Sequence, residues 1–174
     1  MSSRIVLRPP RSGDRAVWCE LVRDSRGFYS GRVTTTGTTA AFRTYLAKSR
    51  TPAAACRLIW RRADDTLLGA ININEIVRGF FQSGYLGYYV GAAYAGQGYM
   101  TEALQLMLRF AFRRLKLHRV EANILPNNHA SLALVRRAGF RHEGRSPRYV
   151  KIAGRWRDHE RWALLAEHWR PLPL

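Results

Sequence analysis

The segment from about residue 85 to 143 alternates strand-like and helix-like patterns, and no other part of the chain constrains the fold as strongly. Tyr85 to Val90 predicts a strand, and Met100 to Leu115 places apolar residues on one stripe of a helix. Arg119 to Leu125 predicts a second strand, His129 to Ala138 a second helix, and Phe140 opens a further strand. This order is typical of a sheet covered by helices.

The rest of the chain extends the same mixed α/β (α+β) class. Further strands are predicted at Ile5–Arg8, 56–61, 67–77, 147–152 and 156–165. A helix is predicted from Asp14 to about Asp24, and another after a Gly- and Thr-rich loop at 30–39 that is a candidate substrate gate. Because 174 residues contain no evident linker, we expect one domain spanning 1–174.

The formal net charge of +17 leaves two explanations open. Arginine greatly outnumbers lysine, as in GC-rich coding sequence, and this composition alone could account for the charge. Alternatively, the chain could meet a polyanion such as a phosphate-rich cofactor, RNA or a ribosome surface. The basic segment 141–161 carries Tyr149 and Trp156 among its arginines, so nucleic acid contact is conceivable only through this basic surface.

Several protein classes are disfavoured by what the sequence lacks. No apolar run approaches the roughly 20 residues of a membrane span, and the N-terminus lacks the apolar core of a secretion signal, so we expect a cytoplasmic protein. Cys19 and Cys56 are isolated, and the histidines are scattered, which predicts no metal site.

The sequence Tyr94-Ala95-Gly96-Gln97-Gly98-Tyr99-Met100-Thr101 joins the first strand of this segment to its strongest helix. Glycine lets the backbone approach a phosphate, free N–H groups near Gly98 to Thr101 would point at it, and the Thr101 hydroxyl could add a donor. A tight turn without any ligand remains the alternative. A P-loop is excluded because GxxxxGK[ST] is absent, and a third glycine at dinucleotide spacing is missing.

A second polar pair opens the following helix. Asn128 and Ser131 are three positions apart and therefore share one helix face. They could contact an extended amide-bearing ligand and its thiol end, or they could simply cap the helix.

These motifs together resemble the GNAT acetyltransferases, and most closely the ribosomal-protein alanine N-acetyltransferase (Rim-type) branch. The resemblance runs from about Leu7 to Trp169, and one departure is Ala95, where the family commonly has Gln or Arg. The matching pieces are GQGYMTEA (96–103), HRVEAN (118–123), PNN (126–128) with Ser131, AGF (138–140), EG (143–144), NEIVRG (74–79), YLGY (85–88), RY (148–149) and GRWRDH (154–159).

The resemblance implies a single GNAT-like domain with a central twisted mixed sheet of about seven strands and flanking helices. The strands at 86–90 and 119–125 would splay apart at the cofactor site, with a β-bulge in the first of them. Acetyl-CoA is the implied cofactor. Its implied contacts are Tyr88, Tyr89, Val90, Gly96, Gln97, Gly98, Tyr99, Met100, Thr101, Asn128 and Ser131, with a backbone N–H such as that of Val90 facing the thioester oxygen.

The resemblance also suggests catalytic candidates. Ser131 is the first choice for protonating or hydrogen-bonding the departing thiolate, and Tyr149 is the second. Glu75 and Glu121 are candidate bases, although each could instead be a paired structural carboxylate. Asp158 and His159 alternate on a strand, so they cannot both face the site, and a structural or substrate-orienting role is expected for them.

We therefore expect an N-acetyltransferase that moves an acetyl group from acetyl-CoA to a primary amine, most favourably the N-terminal α-amine of a ribosomal protein. An α-amine has a pKa near ~8, so its deprotonation needs little help. Acetylation of a small amine such as an antibiotic or polyamine is the first alternative, and a non-enzymatic RNA-binding module is the second. The sequence leaves open whether the protein is a monomer or a homodimer.

Overall fold

The computed structural model describes residues 3–29 and 31–171, so Ser30 of the predicted 30–39 loop lies outside the described residues. Seven strands form one sheet in the order β1-β2-β3-β4-β5-β7-β6. The strands are β1 (Ile5–Arg8), β2 (Ala55–Arg61), β3 (Leu67–Val77), β4 (Ser83–Val90), β5 (Arg119–Ile124), β6 (Arg141–Ile152) and β7 (Arg155–Leu165). The helices are α1 (Arg15–Asp24), α2 (Arg26–Tyr29), α3 (Thr39–Lys48), α4 (Tyr99–Arg109) and α5 (His129–Arg137).

The sheet is mixed, which confirms the predicted fold class. β4 and β5 pair in parallel, whereas the other neighbouring strands pair antiparallel. Alternate residues of the central strands face opposite layers of apolar side chains. Ile59 and Ile71 pack with α4 and α5 on one face, while Leu58 and Ala70 pack with α1 and α3 on the other.

Two elements differ from the sequence predictions. The helix expected to run to Leu115 ends as an α-helix at Arg109 and continues as a π-helical turn over Phe110–Arg114. The strands expected at 140–143 and 147–152 form one strand, β6, whose pairing with β7 shifts register after His142 and again after Ser146. Patterns of side-chain polarity indicate where a strand lies but not whether a bulge joins two strand segments.

The strands β4 and β5 separate partway along their length, as the resemblance implied. They pair only from Ser83 to Tyr85, opposite Arg119 to Glu121. Beyond this point, Leu86 to Val90 keep their pairing with β3 on one edge, and the other edge of β4 has no strand partner among the described residues. The gap between β4 and β5 therefore exposes backbone in the middle of the sheet.

The predicted bulge in β4 is wrong, because the irregularity lies in β3. The register shifts between Asn74 and Val77, where β3 has one residue more than β4. Glu75 takes a φ of 47° at this position. The extra residue bends the β3–β4 ribbon just where β4 leaves β5.

In the described part of the chain, no helix is long and apolar enough to cross a membrane.

Replacing Gly69 by alanine should destabilise the β3–β4 ribbon. A Cβ at this position would lie 2.2 Å from the Tyr89 carbonyl oxygen, so the backbone must shift. We expect a loss of about 1–3 kcal/mol in the free energy of unfolding, measured by urea denaturation. Gly13→Ala is the control, because nothing lies within 4 Å of its added Cβ. Equal midpoints for the two variants would contradict this account of the ribbon.

Candidate active site

The loop between β4 and α4 presents a row of backbone N–H groups without partners. Gly96 and Gly98 adopt φ values of 75° and 84°, which favour glycine, and Gly98 is the N-cap of α4. From Gly96 to Met100, no backbone N–H has an acceptor among the described residues. Such a row at the start of a helix, where the helix dipole adds positive potential, fits a phosphate group.

Two details of this loop differ from the sequence expectation. The Thr101 N–H is not free, because it donates to the Gly98 carbonyl at 3.0 Å, although Thr101 still lines the adjacent cavity. The Gln97 side chain turns away and donates to the Ala93 carbonyl at 2.8 Å, so only its backbone N–H is left for a ligand. The predicted cofactor contact of Gln97 can therefore come only from its backbone.

Arg4 holds the loop against the start of α4. Its guanidinium donates to the Gln97 carbonyl at 3.0 Å and to Glu102 at 2.6 Å, and it lies over the Tyr99 ring. Glu102 is an acidic residue in the first turn of α4. The pairing with Arg4 offsets a negative charge that would otherwise oppose an anion at this helix end.

A cavity of about 560 Å³, here called the loop cavity, opens in front of these N–H groups. Its size is that of an ordinary cofactor site. The predicted contact residues that line it are Tyr88, Tyr89, Val90, Gly96, Gly98, Tyr99, Met100, Thr101, Asn128 and Ser131.

Helix α5 supplies the opposite wall of the loop cavity. The predicted pair Asn128 and Ser131 is followed at the same three-residue spacing by Leu134 and Arg137, so the four residues share one helix face. All four line the cavity. The Asn128 side-chain oxygen also accepts from the Ser131 N–H at 3.3 Å, so the capping alternative is realised as well. Arg137 was missed in the sequence, although its spacing from Ser131 and Leu134 was a usable signal.

A second cavity of about 600 Å³, here called the sheet groove, lies between α3 and the separated strands. It is lined by residues of β4, β5 and β7 and by Arg32 to Thr35 of the Thr-rich loop. The two cavities share Arg32, Val33, Tyr88, Tyr89, Asn128 and Ser131. They therefore meet beside Ser131, where groups bound in each could react.

Several polar atoms on the groove lining lack partners. The Tyr88 hydroxyl, the Tyr89 hydroxyl and the Asn123 side-chain oxygen are buried without a hydrogen bond to any described residue. Burial raises the pKa of Tyr88 to about 12, and the nearby Ser131 hydroxyl opposes the shift, although the two groups do not meet hydrogen-bond geometry. A ligand or water in the groove could supply the hydrogen-bond partners that these three atoms lack.

The sheet groove carries positive charge. Lys48 and Arg32 line it, and none of the described lining residues is an aspartate or glutamate. Lys48 lies 4.0 Å from Glu75, but that carboxylate is largely exposed at the rim. The groove potential therefore disfavours a polycation.

Of the predicted catalytic residues, only Ser131 lines a cavity. Glu75 is exposed on the β3 irregularity, and Glu121 is paired with Arg119 at 2.9 Å and Arg161 at 3.6 Å. Tyr149 lies beside Tyr85, and its ring is tilted by 57° against the His159 ring, with the two centroids 6.3 Å apart. The two carboxylates thus have the paired or surface positions that the sequence left open as alternatives.

The adjacent residues Asp158 and His159 point to opposite faces of β7. Asp158 accepts from the Arg148 N–H and the Arg145 guanidinium, both at 2.8 Å, and these contacts hold the pKa of its carboxyl below the usual range. His159 is 3% exposed and lines the sheet groove. Of the two residues, only the histidine therefore lines the sheet groove.

Comparison with known proteins identifies the family. Residues 4–141 match the family model described as "Acetyltransferase (GNAT) domain". The chain belongs to the GNAT acetyltransferase family. This membership argues against the alternative of a non-enzymatic RNA-binding module.

Relatives and solved structures agree with the Rim-type branch. The chain is 41% identical over 105 residues to an Escherichia coli protein named [ribosomal protein uS5]-alanine N-acetyltransferase, covering 60% of this chain and 54% of the relative. It is 29% identical to Mycobacterium smegmatis RimJ, whose structure is a complex with CoA-disulfide, with a TM-score of 0.85 over 94% of this chain and 82% of that chain. A Vibrio cholerae spermidine N-acetyltransferase shares the fold at a TM-score of 0.80 and 20% identity, over 96% and 98% of the two chains. The chain spans about half the length of the curated relative.

The residues present fit the acetyl-CoA that GNAT acetyltransferases use. The free N–H groups from Gly96 to Met100 and the Arg137 guanidinium can hold phosphate oxygens. The unpaired edge of β4 at Tyr88 to Val90 can pair with an extended amide arm.

Arg137→Gln should weaken CoA binding by about 10- to 100-fold, because one charge-assisted contact to a phosphate is lost. The measurement is the rise in apparent melting temperature as CoA is titrated. Arg136→Gln is the matched control, because it removes the same charge from a guanidinium that lies over the Trp162 ring and does not line the cavity. Equal CoA responses from the two variants would remove Arg137 from the site.

Proposed function

We propose that the chain acetylates the N-terminal α-amine of a protein, with a ribosomal protein as the favoured substrate. The observation that carries this proposal is the meeting of two cavities beside Ser131: one suits acetyl-CoA, and the other is an open, carboxylate-free groove among the described residues. The 41% identity to the uS5-alanine acetyltransferase supports the same substrate class.

The residues around the meeting point suit acyl transfer to an amine. Acetyl-CoA supplies a thioester carbonyl as the electrophile. A backbone N–H of β4, that of Val90 or a neighbour, would donate to the carbonyl oxygen as negative charge develops. Ser131 and the Tyr88 hydroxyl line both cavities and can hydrogen-bond the sulfur as it leaves. The Tyr88 hydroxyl keeps its proton at neutral pH and can donate a hydrogen bond to the sulfur, but burial raises its pKa and makes it a weak acid, so Ser131 is the preferred proton relay.

The groove charge separates this proposal from small-amine acetylation. A polyamine carries several positive charges and would meet Lys48 and Arg32 without any described carboxylate on the lining to balance them. A protein N-terminus carries one positive charge, which is lost before attack. The rest of an extended N-terminal segment can follow the groove between α3 and the Thr-rich loop.

The acceptor class can be tested with three acceptors and acetyl-CoA. We expect turnover on a peptide with a free N-terminal alanine, and at least a tenfold loss on the same peptide with a blocked N-terminus that retains an internal lysine. Spermidine should be a poorer acceptor than the free peptide. Thiol release and mass spectrometry measure the three rates. Undiminished turnover on the blocked peptide, or faster turnover on spermidine, would overturn the proposal.

The charge of the first few residues of the peptide should change KM, and acidic residues should be favoured. Acidic side chains should lower KM relative to basic ones by about two- to fivefold for each charge, because Lys48 and Arg32 favour the acidic peptide. Added salt should reduce the difference. Lys48→Gln should narrow the gap between the two peptides, and an unchanged gap would show that Lys48 does not contact the substrate.

A further inference from the structure

His159 is a buried histidine whose contacts leave one ring nitrogen available to the sheet groove. The residue is 3% exposed, and its Nδ1 lies 3.0 Å from the Arg157 carbonyl oxygen. Its Nε2 has no hydrogen-bond partner among the described residues. A buried imidazole with one nitrogen used and the other facing a cavity is suited to exchange a proton with a ligand.

The contact to Arg157 fixes the tautomer of the neutral ring. A carbonyl oxygen can only accept, so Nδ1 must carry the hydrogen. In the neutral imidazole, Nε2 is then unprotonated and holds the free lone pair. The nitrogen that remains for the groove is therefore a proton acceptor.

The sheet register places His159 beside the meeting point of the two cavities. β7 pairs with β5 as far as Glu160 opposite Ile124, so His159 comes next to the point where β5 ends. The chain that follows β5 leads directly to Asn128 and Ser131, which line the groove together with His159. An amine that reaches the thioester beside Ser131 must enter this part of the groove.

Apart from His159, no described residue that lines the groove carries an imidazole or a carboxylate. The two candidate carboxylates from the sequence, Glu75 and Glu121, do not line it. Several charged or titratable side chains surround His159. They come from β7 itself, β6, β4, α3 and the Thr-rich loop, and they are Arg157, Arg161, Tyr149, Tyr88, Tyr89, Tyr45, Lys48 and Arg32.

We propose that His159 Nε2 is the base that takes the proton from the acceptor amine, directly or through one water. This assignment rests on the proposed function. One proton leaves the ammonium group for Nε2, and the freed lone pair of the nitrogen forms the new bond to the acetyl carbon. As the carbon–sulfur bond breaks, the sulfur leaves with its electron pair. The nitrogen loses its second proton as the amide forms, and this proton reaches the sulfur through the Ser131 hydroxyl, which lines both cavities. The imidazolium returns the first proton to solvent through the open groove.

His159→Asn is the most informative variant, because an asparagine Nδ2 can replace the donor to the Arg157 carbonyl and cannot act as a base. We expect kcat/KM for a free N-terminal peptide to fall about tenfold at neutral pH, because only about a tenth of an α-amine is neutral there without a base. The loss should shrink as the pH rises through the pKa of the amine, near ~8, because the substrate then arrives already neutral. His142→Asn is the control on β6, where the ring pairs with Glu160 at 2.6 Å and does not line the groove.

A peptide that carries an aminooxy group in place of its N-terminal α-amine distinguishes a base from a structural role for His159, because the aminooxy nitrogen is already neutral at neutral pH. His159→Asn should acetylate it at nearly the wild-type rate. Equal losses on both peptides, or no loss on either with an unchanged pH profile, would overturn the assignment while leaving the proposed function intact. Wild-type protein that binds CoA but acetylates no N-terminal peptide would overturn both. The CoA thermal shift verifies that the variant is folded, and His159→Gln replaces it if the shift is absent.

Discussion

The separation of β4 from β5 is the constraint on which the site depends. Hydrogen bonds between these parallel strands stop after Tyr85 and Glu121, although both strands continue. Backbone that would be paired inside an ordinary sheet is left open, and each face of the gap becomes one of the two cavities. The separation is sustained because β4 stays paired to β3 and β5 stays paired to β7, so each half of the sheet keeps its own ladder. The candidate active site thus lies at a gap between two half-sheets that each keep their own hydrogen bonds.

Charge is distributed differently in the two cavities. The loop cavity uses backbone N–H groups, the end of α4 and Arg137, a set suited to a group of high negative charge. The acid closest to that helix end, Glu102, is paired with Arg4. Farther away, Glu121 and Glu143 are both paired with Arg119. The chain has a net charge of +17, and these three carboxylates are all paired with arginines. None of the described residues that line the groove is an acid.

Most of the predicted cofactor contacts line one cavity, whereas Ser131 is the one predicted catalytic residue that lines either cavity. Gly96, Gly98, Asn128 and Ser131 are close together in the chain and joined by a short helix–strand unit, so local spacing brings them near one cavity. Glu75, Glu121 and Tyr149 come from three different strands. Whether such side chains reach the groove depends on which face of each strand is turned toward it and on which arginine lies nearby, and neither is fixed by local spacing.

The pairing of neighbouring strands explains two further features that the sequence did not predict: the place of His159 in the groove and the position of the bulge. His159 reaches the groove because β7 pairs with β5 in one particular alignment, and a shift by one residue would present Asp158 instead. The bulge expected in β4 lies in β3, because the two strands share one ribbon and an extra residue in either can bend it.

The sequence by itself determined the fold class, the order of elements, the glycine loop at the start of α4 and the helix face that carries Asn128 and Ser131. These features follow from local periodicity and from the backbone freedom of glycine, which act within a few residues. The tertiary structure alone decided where the strands separate, which carboxylates are paired and which side chains line the groove. Those outcomes depend on pairing between residues far apart in the chain, where a single residue of register reverses the face that every side chain presents.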